Sequence, residues 1–260
     1  MVSVVMPAYN EAHHIIKNLQ ETIITLNGLG FPFEVILVDD GSQDRTWLEA
    51  AKLLVDQDST VRVIRCQENR GKGNAVMCGT WYSRGELVVF LDADMDLHPA
   101  QLTNFFSILD RTGADIVIGS KLHPDSHVNY PLRRRLWSAG YYALVRLLFG
   151  LPVRDTQTGL KVFRREVLQR VFPRVLVKRF AFDIEVLAVA NRLGYKMTEA
   201  PVTLYFRRKF GRVDLGEVLK IFRDTLAIFY RLRLRRYYDS IDVEWPQPTS
   251  AVEVRAGVNG

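Results

Sequence analysis

The sequence predicts an α/β fold with a mostly parallel sheet flanked by helices, and two observations support it. Short, β-branched apolar runs alternate along the chain with longer stretches of helical spacing. The apolar runs are almost continuously hydrophobic, as in strands that are covered on both faces of a sheet. With 260 residues, 48% hydrophobic and 25% charged, the chain suits one large globular domain with a buried core.

The elements of the first half follow from this alternation. The predicted strands are the apolar runs at 2–6, 34–38, 61–65, 87–91 and 115–118. The predicted helices lie between them at 11–26, 46–55, 74–84 and 99–111, the last with Pro99 in its first turn. Parallel strands with right-handed crossovers place the loops after Met6, Val38 and Leu91 at one edge of the sheet, where ligands bind.

The second half has longer helical patterns. Strands are predicted at 161–163 and 197–202. A helix with a basic start is predicted at about 133–150, and its apolar part is shorter than the ~20 residues that span a bilayer. A long amphipathic helix is predicted at 215–238. We therefore expect a catalytic domain over 1–210 that includes the 133–150 helix, a basic amphipathic helix within 211–240 and a disordered tail over 241–260.

The positive charge is concentrated near the carboxyl end. Between positions 207 and 236 there are ten Lys or Arg and three acids, a balance of +7, so the rest of the chain carries −1 of the net +6. Such a segment suits an anionic partner such as a membrane surface, a phosphate or nucleic acid. The chain opens on an apolar strand-like run without a basic leader, so we expect a cytoplasmic location.

Polar clusters follow three of the predicted strands at the same edge: "PAYNEA", "DDGSQDRT" and "DADMD". Alternate residues of an extended chain face the same way, so Asp92, Asp94 and Asp96 are expected to converge. Converging carboxylates repel unless a cation lies among them, and Mg²⁺ and Mn²⁺ prefer oxygen ligands. The glycines and cations of "RGKGNA", before a helix, suit an anion.

The motifs "VVMPAYNEA", "VDDGSQDRT", "NRGKGNAV" and "FLDADMDLHP", in this order and spacing, resemble the family 2 glycosyltransferases, which have the Rossmann-like GT-A fold. The resemblance covers roughly residues 1–210. "DTQTGLKVFRREVL" and "FAFDIEVL" are similar to the subgroup that transfers a sugar to polyprenyl or dolichyl phosphate, the dolichyl-phosphate mannose and glucose synthases. The resemblance implies a UDP-glucose or GDP-mannose donor, an Mg²⁺ or Mn²⁺ cofactor and inverting transfer.

The resemblance also implies roles for individual residues. The metal ligands would be Asp92, Asp94 and, less directly, Asp96, where mannose synthases carry a glutamine. The donor site would be formed by Pro7, Tyr9, Glu11, Asp39, Asp40, Lys72, Asp92 and Gln157, with Asp40 rather than Asp39 as the base contact. Catalysis would rest on Asp94 and on Arg207 or Arg208, between which a one-residue length difference leaves the choice open. The candidates for binding the acceptor phosphate are Lys121, Arg133, Arg134, Arg207 and Arg208.

A lipid acceptor gives the two apolar-basic helices a function, because they could lie in the interface at the cytoplasmic face of a membrane. The alternative is that they pack on the domain or in a homodimer interface. Other functions stay open as well. An acceptor hydroxyl, on a soluble sugar or a cell-envelope glycan, would need a carboxylate base such as Asp183 or Glu185. A non-catalytic nucleic-acid-binding protein would use the basic segment, although RRM, OB and zinc motifs are missing from the sequence.

Overall fold

The structure is a computed structural model that describes residues 1–54, 60–128, 132–179, 181–205, 215–239, 245, 248 and 251–254. The side chains of 132–139, 215, 217 and 218 are not among the described parts. The strands are β1 (Val2–Ala8), β2 (Phe33–Asp39), β3 (Val61–Cys66), β4 (Leu87–Phe90), β5 (Ile116–Ser120), β6 (Lys161–Arg164), β7 (Met197–Pro201) and β8 (Ala251–Val254). The helices are α1 (Ile15–Gly28), α2 (Thr46–Ala51), α3 (Lys72–Tyr82), α4 (Leu102–Thr112), α5 (Leu132–Phe149), α6 (Arg165–Val171), α7 (Phe182–Arg192) and α8 (Leu215–Phe229).

All of these strands join one sheet in the order β7-β5-β6-β4-β1-β2-β3-β8. The pairs β1–β2, β1–β4, β2–β3 and β5–β7 are parallel, whereas β6 and β8 run antiparallel to their neighbours. The predicted α/β fold with a mostly parallel sheet is confirmed. Because β4, β1 and β2 are parallel neighbours, their carboxyl ends meet at one edge, and the loops that follow them lie side by side.

The core consists of two apolar clusters, one on each face of the sheet. Ile36 and Val38 pack in one cluster, and the alternate residues Val35 and Leu37 pack in the other. This two-sided burial explains why the strand sequences are almost continuously apolar. It also fixes the register, because a shift by one residue would exchange the two faces.

The tail differs from the expectation. Disorder was predicted for 241–260, but Ala251–Val254 form β8 at the edge of the sheet beside β3. The Nε atom of Arg62 donates to Glu253 across this pair at 2.6 Å. The ring of Trp245 lies edge-on to Trp81, with the ring centroids 5.3 Å apart. Ladder hydrogen bonds, an ion pair and an aromatic contact therefore hold part of a segment whose composition alone suggested no order.

The helix predicted at 215–238 is shorter in the structure. The α-helix ends at Phe229, and the chain then forms a wider π-helical turn over Tyr230–Leu234. This turn brings Arg231 within 3.0 Å of Glu185 on α7. The short helix α6 has no counterpart in the prediction. Among the described helices, none is long and apolar enough to cross a membrane.

Candidate active site

A cavity of about 620 Å³ opens at the edge of the sheet where β1, β2 and β4 end. Its lining includes nearly all the residues predicted from the sequence to bind the donor and the metal. These residues are Pro7, Tyr9, Glu11, Asp40, Lys72, Asp92, Asp94 and Gln157. The topology therefore brings together residues that are up to 150 positions apart in the chain. We refer to this cavity as the donor pocket.

Lys72 and Asp92 form an ion pair in the lining of the donor pocket. The Nζ atom of Lys72, the first residue of α3, lies 2.5 Å from Oδ1 of Asp92. Both side chains line the cavity, with 39% and 33% of their surfaces exposed. Burial alone would raise the pKa of Asp92, but the ammonium groups of Lys72, Lys161 and Lys121 outweigh it and hold that pKa below its usual range. Asp92 is therefore ionised at neutral pH.

Asp94 also lines the donor pocket, beside Asp92. Burial, and then the charge of Asp92, raises the pKa of Asp94 to about 6. A cation bound beside Asp94 would favour the ionised form of this carboxyl group. Asp92 and Asp94 together offer the oxygen ligands that a divalent cation prefers.

Asp96 is not part of the lining of the donor pocket, although its charge contributes to the raised pKa of Asp94. Met95 has a positive φ of 60°, which interrupts the extended geometry on which convergence depends. The backbone of Asp96 is held by its N–H, which donates to Asp94 Oδ1 at 3.1 Å, and by its carbonyl, which accepts from Tyr205 N at 2.9 Å. Within the described part of the chain, no cluster of three or more His, Cys, Asp or Glu side chains is arranged to hold a metal. The two-carboxylate site of Asp92 and Asp94 is what the geometry supports.

Gly159 lies directly against the carboxylate of Asp92. A Cβ atom at this position would lie 2.0 Å from Oδ2 of Asp92, far inside contact distance. The glycine of the "TQTG" stretch is therefore required by the close approach of a carboxylate rather than by a turn.

The paired aspartates that follow β2 have different roles. Asp40 lines the donor pocket, and its carboxylate accepts the N–H groups of Arg70 and Gly71 at 3.2 and 2.8 Å. It thereby fixes the glycine loop that leads into α3. Asp39 is fully buried, is not part of the pocket lining and accepts hydrogen bonds from Ser42. The structure therefore does not bring Asp39 to the donor pocket, whereas Asp40, the preferred base contact, lines it.

Two polar side chains of the pocket were missed from the sequence. Arg179 and Asn69 both line the donor pocket. Arg179 directly precedes the "FAFDIEVL" motif, and Asn69 opens "NRGKGNAV", so both lie at motif borders. Their position beside recognised motifs was the only signal. Side chains from a second loop and from a crossover connection cannot be assigned to a pocket before the topology is known.

A second cavity of about 300 Å³ adjoins the donor pocket, and Gln157 lines both. We refer to it as the side pocket. Its polar groups include Lys121, Arg154 and Asp155, and its less polar wall includes Tyr141 and Tyr142 of α5. The Nζ atom of Lys121 lies 3.5 Å from Oδ2 of Asp155.

Asp155 is fixed within this wall. It is only 7% exposed, and its carboxylate accepts from the backbone N–H of Lys121 at 3.0 Å and from the hydroxyl of Thr158 at 2.6 Å. Burial would raise the pKa of Asp155, but Lys121 and these hydrogen bonds outweigh burial and lower it. Lys121 therefore lies beside a fixed carboxylate in the lining of the side pocket.

The two carboxylates considered as general bases are already engaged. Asp183 lines the donor pocket, where its Oδ1 atom accepts from the buried Lys161 Nζ at 2.6 Å. Glu185, on the same helix, is fully buried and is not part of the pocket lining. It is neither a surface carboxylate nor a group that faces the reaction.

Four predicted cations cannot be placed by their side chains. Arg207 and Arg208 lie outside the described residues. Arg133 and Arg134 lie in the first turn of α5, where the helix is described but these side chains are not. Their predicted contacts with an acceptor phosphate stay predictions.

The model of the family described as "Glycosyl transferase family 2" matches residues 3–172, which include β1 to β6 and most of the donor pocket. The chain belongs to glycosyl transferase family 2. It is 34% identical over 242 residues to a dolichyl-phosphate beta-glucosyltransferase of Trichomonas vaginalis, covering 89% of this chain and 74% of that protein. It is 35% identical over 251 residues to the dolichyl-phosphate beta-glucosyltransferase of Homo sapiens, with 89% and 75% covered.

Among solved structures, the fold is similar to that of glucosyl-3-phosphoglycerate synthase from Mycobacterium tuberculosis. That protein was crystallised with Mn²⁺, UDP-glucose and phosphoglyceric acid. The match has a TM-score of 0.64 and covers 98% of this chain and 89% of the other, with 21% sequence identity. The similarity confirms the GT-A fold expected from the family 2 motifs.

Proposed function

We propose that this glycosyltransferase moves glucose from UDP-glucose onto the phosphate of a polyprenyl or dolichyl phosphate, with inversion, at the cytoplasmic face of a membrane. One observation carries the proposal: two cavities meet at Gln157. One cavity contains the carboxylates Asp92 and Asp94, and the other contains the cation Lys121. A sugar at the junction would have a nucleoside diphosphate on one side and an anionic acceptor on the other.

The donor side suits a nucleoside diphosphate. Asp92 and Asp94 fit a divalent cation, Mg²⁺ or Mn²⁺, whose remaining positions the diphosphate oxygens would fill. When bound, that ion would neutralise the charge that develops on the leaving group. Lys72 places a further positive charge beside Asp92, and Asp92 with Asp183 outweighs burial to raise the pKa of Lys72, so it stays protonated. Asp40 accepts hydrogen bonds from the glycine loop, which would border the bound nucleotide.

The acceptor side suits a phosphate monoester attached to an apolar chain. Lys121 supplies a cation for the phosphate, and Arg154 adds a second on the same wall. Tyr141 and Tyr142 provide a less polar surface from α5, against which the first part of a lipid could lie.

The reaction then needs no strong base. A phosphate oxygen of the acceptor attacks the anomeric carbon from the face opposite the leaving group, forming a carbon–oxygen bond. The bond from that carbon to the diphosphate breaks, and the nucleoside diphosphate leaves with the electron pair. The phosphate is already ionised, whereas a hydroxyl acceptor would have to lose a proton to a carboxylate. Because Asp183 is already paired with Lys161 and Glu185 lies outside the pocket, the phosphate acceptor is favoured.

The choice of glucose rests on the relatives, which are named as dolichyl-phosphate beta-glucosyltransferases. GDP-mannose is the alternative donor. The same relatives, together with family membership, leave little support for a non-catalytic nucleic-acid-binding function.

An exposed apolar surface on α8 supports binding at a membrane. One side of this helix packs on the domain, where Thr225 and Ile228 are fully buried and the rings of Phe149 and Phe229 lie 6.4 Å apart. The other side of α8, with the first residue of the turn that follows it, exposes four large apolar side chains at three- and four-residue spacing. They are Leu219 (69% exposed), Phe222 (44%), Leu226 (41%) and Tyr230 (49%). Lys220 and Arg223 are exposed beside them, as in helices that lie in an anionic lipid interface.

The proposal is tested with purified protein, Mn²⁺ or Mg²⁺, a short polyprenyl phosphate and either UDP-glucose or GDP-mannose. Release of the nucleoside diphosphate is measured, with Asp94→Ala as the inactive control. We expect release from UDP-glucose that depends on the lipid phosphate and is lost in the variant. Release without lipid, or with a soluble sugar in its place, would support the hydroxyl-acceptor alternative instead.

A further inference from the structure

The buried carboxylate of Glu185 joins two parts of the molecule that are distant in sequence. Its Oε2 atom accepts the backbone N–H groups of Leu176 and Val177 at 2.9 and 2.6 Å. Its Oε1 atom accepts from the guanidinium of Arg231 at 3.0 Å and from the hydroxyl of Tyr238 at 2.5 Å. Each oxygen therefore serves one partner segment: the loop before α7 on one side and the segment after α8 on the other.

The loop held by Oε2 leads directly to the donor pocket. Arg179, two residues beyond Val177, lines that pocket. Burial raises the pKa of Asp40, and the positive charge of Arg179 is among the groups that partly oppose this rise. The carbonyl of Lys178 accepts the N–H of Asn74 at 3.3 Å, near the start of α3. A Cβ atom on Gly71 would lie 2.7 Å from both this carbonyl oxygen and Cγ of Arg179, so the loop and the glycine turn are packed without free space.

The segment held by Oε1 continues from the helix with the exposed apolar surface. Arg231 lies in the π-helical turn that follows α8, and its Nε atom donates to the Tyr238 hydroxyl at 3.0 Å. Tyr238 is only 1% exposed. The same segment is also tied to α7 by Arg192 and Asp239, a two-point ion pair at 2.6 and 2.8 Å. A further hydrogen bond runs from the Nε atom of Arg174, just before the loop, to the carbonyl of Tyr238 at 3.2 Å; it uses the backbone of Tyr238 and not its hydroxyl.

We propose that Glu185 is a positioning residue for donor binding, which sets Arg179 in the donor pocket according to how the segment after α8 is docked. Docking by Arg231 and Tyr238 holds Oε1 and so orients the carboxylate whose other oxygen fixes Leu176 and Val177. These residues set the path of the chain to Arg179 and the packing against Gly71. The attachment of the amphipathic helix and the affinity for the nucleotide are thus linked through the buried carboxylate of Glu185. The inference rests on the proposed donor site.

The test uses Tyr238→Phe, which removes one hydroxyl and leaves the charges of Glu185 and Arg231 paired. Arg179→Gln, and the double variant that combines it with Tyr238→Phe, are measured alongside it. Asp239→Asn is the matched control, because it weakens the attachment of the same segment to α7 without touching the loop. The affinity of the full chain for UDP, and separately for GDP, is measured by titration calorimetry with Mn²⁺. Melting temperatures are recorded in parallel.

We expect Tyr238→Phe to weaken nucleotide binding about threefold to tenfold, although Tyr238 lies outside the donor pocket. In the Arg179→Gln background the same change should have less than about a twofold effect, because both act through one side chain. Asp239→Asn should bind the nucleotide like the wild type even if its melting temperature falls. Should Tyr238→Phe lose cooperative unfolding, Arg231→Lys takes its place, since it keeps the charge and removes the hydrogen bond from Nε.

The inference would be overturned by nucleotide binding of Tyr238→Phe that equals the wild type, or by effects of Tyr238→Phe and Arg179→Gln that add in full. Equal losses in Tyr238→Phe and Asp239→Asn would also do so, because they would show a general effect of loosening the segment. A wild-type chain that binds neither UDP nor GDP would instead refute the proposed donor site itself.

Discussion

The contact between Gly159 and Asp92 gives a prediction with a defined geometric magnitude. In Gly159→Ala the new methyl group would lie 2.0 Å from Oδ2 of Asp92, whereas Cβ contacts under 3.0 Å are essentially never found in real proteins. The carboxylate must therefore recede by at least about 1 Å. Oδ1 of the same carboxylate lies 2.5 Å from Lys72, so the displacement also disturbs that ion pair.

A shift of about 1 Å in a group that positions the substrate can cost about 10²-fold in rate. This corresponds to about 2.7 kcal/mol of lost transition-state stabilisation. We expect kcat/KM of Gly159→Ala to fall by about this factor. The melting temperature should change little, because the displaced carboxylate opens into a cavity rather than into the core.

The assay is the initial rate of nucleoside diphosphate release over a range of donor and metal concentrations. Gly28→Ala is the matched control, because Gly28 lies at the end of α1 with no heavy atom within 4 Å of its added Cβ. A folded Gly159→Ala variant with kcat/KM within about threefold of the wild type would refute the placement of Asp92 at the reacting centre.

Further variants test other parts of the account. Asp94→Asn should lower turnover by about 10²-fold or more and weaken the response to Mn²⁺; an unchanged metal titration would exclude Asp94 as a ligand. Lys121→Gln should raise KM for the polyprenyl phosphate about tenfold while KM for the donor stays constant, and a change in the donor KM alone would contradict the assignment. Leu226→Glu should reduce co-sedimentation with anionic vesicles severalfold without affecting UDP binding; equal sedimentation would mean that α8 does not contact the membrane. The lowered pKa of Asp155 means that this carboxylate stabilises the fold above its unfolded pKa of about 3.9 and that the effect is lost as the pH falls through the folded-state pKa. The melting temperature of Asp155→Asn should therefore lie below that of the wild type at pH 7, and the difference should shrink at pH 3.

Local sequence patterns were sufficient for most of the sheet and for the residues at its carboxyl edge. The motifs around Pro7, Asp40 and Asp92 end parallel strands, and parallel topology requires such ends to meet. The alternation of burial also holds from Asp92 to Asp96, since Ala93 and Met95 are buried between partly exposed aspartates. The left-handed conformation of Met95, between Asp94 and Asp96, is not visible in a periodic pattern.

Other features depend on contacts between distant segments, which no local pattern reports. Glu185 could not be assigned from sequence, because its partners come from Leu176, Val177, Arg231 and Tyr238. The strand at Ala251–Val254 owes its order to the free edge of β3, almost 190 residues earlier. Composition indicates whether a segment can be ordered by its own contacts, but not whether the rest of the molecule offers it an edge.

The central claim is that the acceptor is a phosphate on a lipid, and the chemical structure of the product tests it most directly. The protein would be incubated with UDP-glucose, a divalent cation and either a polyprenyl phosphate or the polyprenol of the same length, and the lipid products would be analysed by ³¹P and ¹H NMR. The account predicts a phosphodiester that carries a β-linked glucose from the phosphate alone, and no product from the alcohol. A glucoside of the alcohol, an α-linked product, or glucose transfer that ignores the lipid would contradict it.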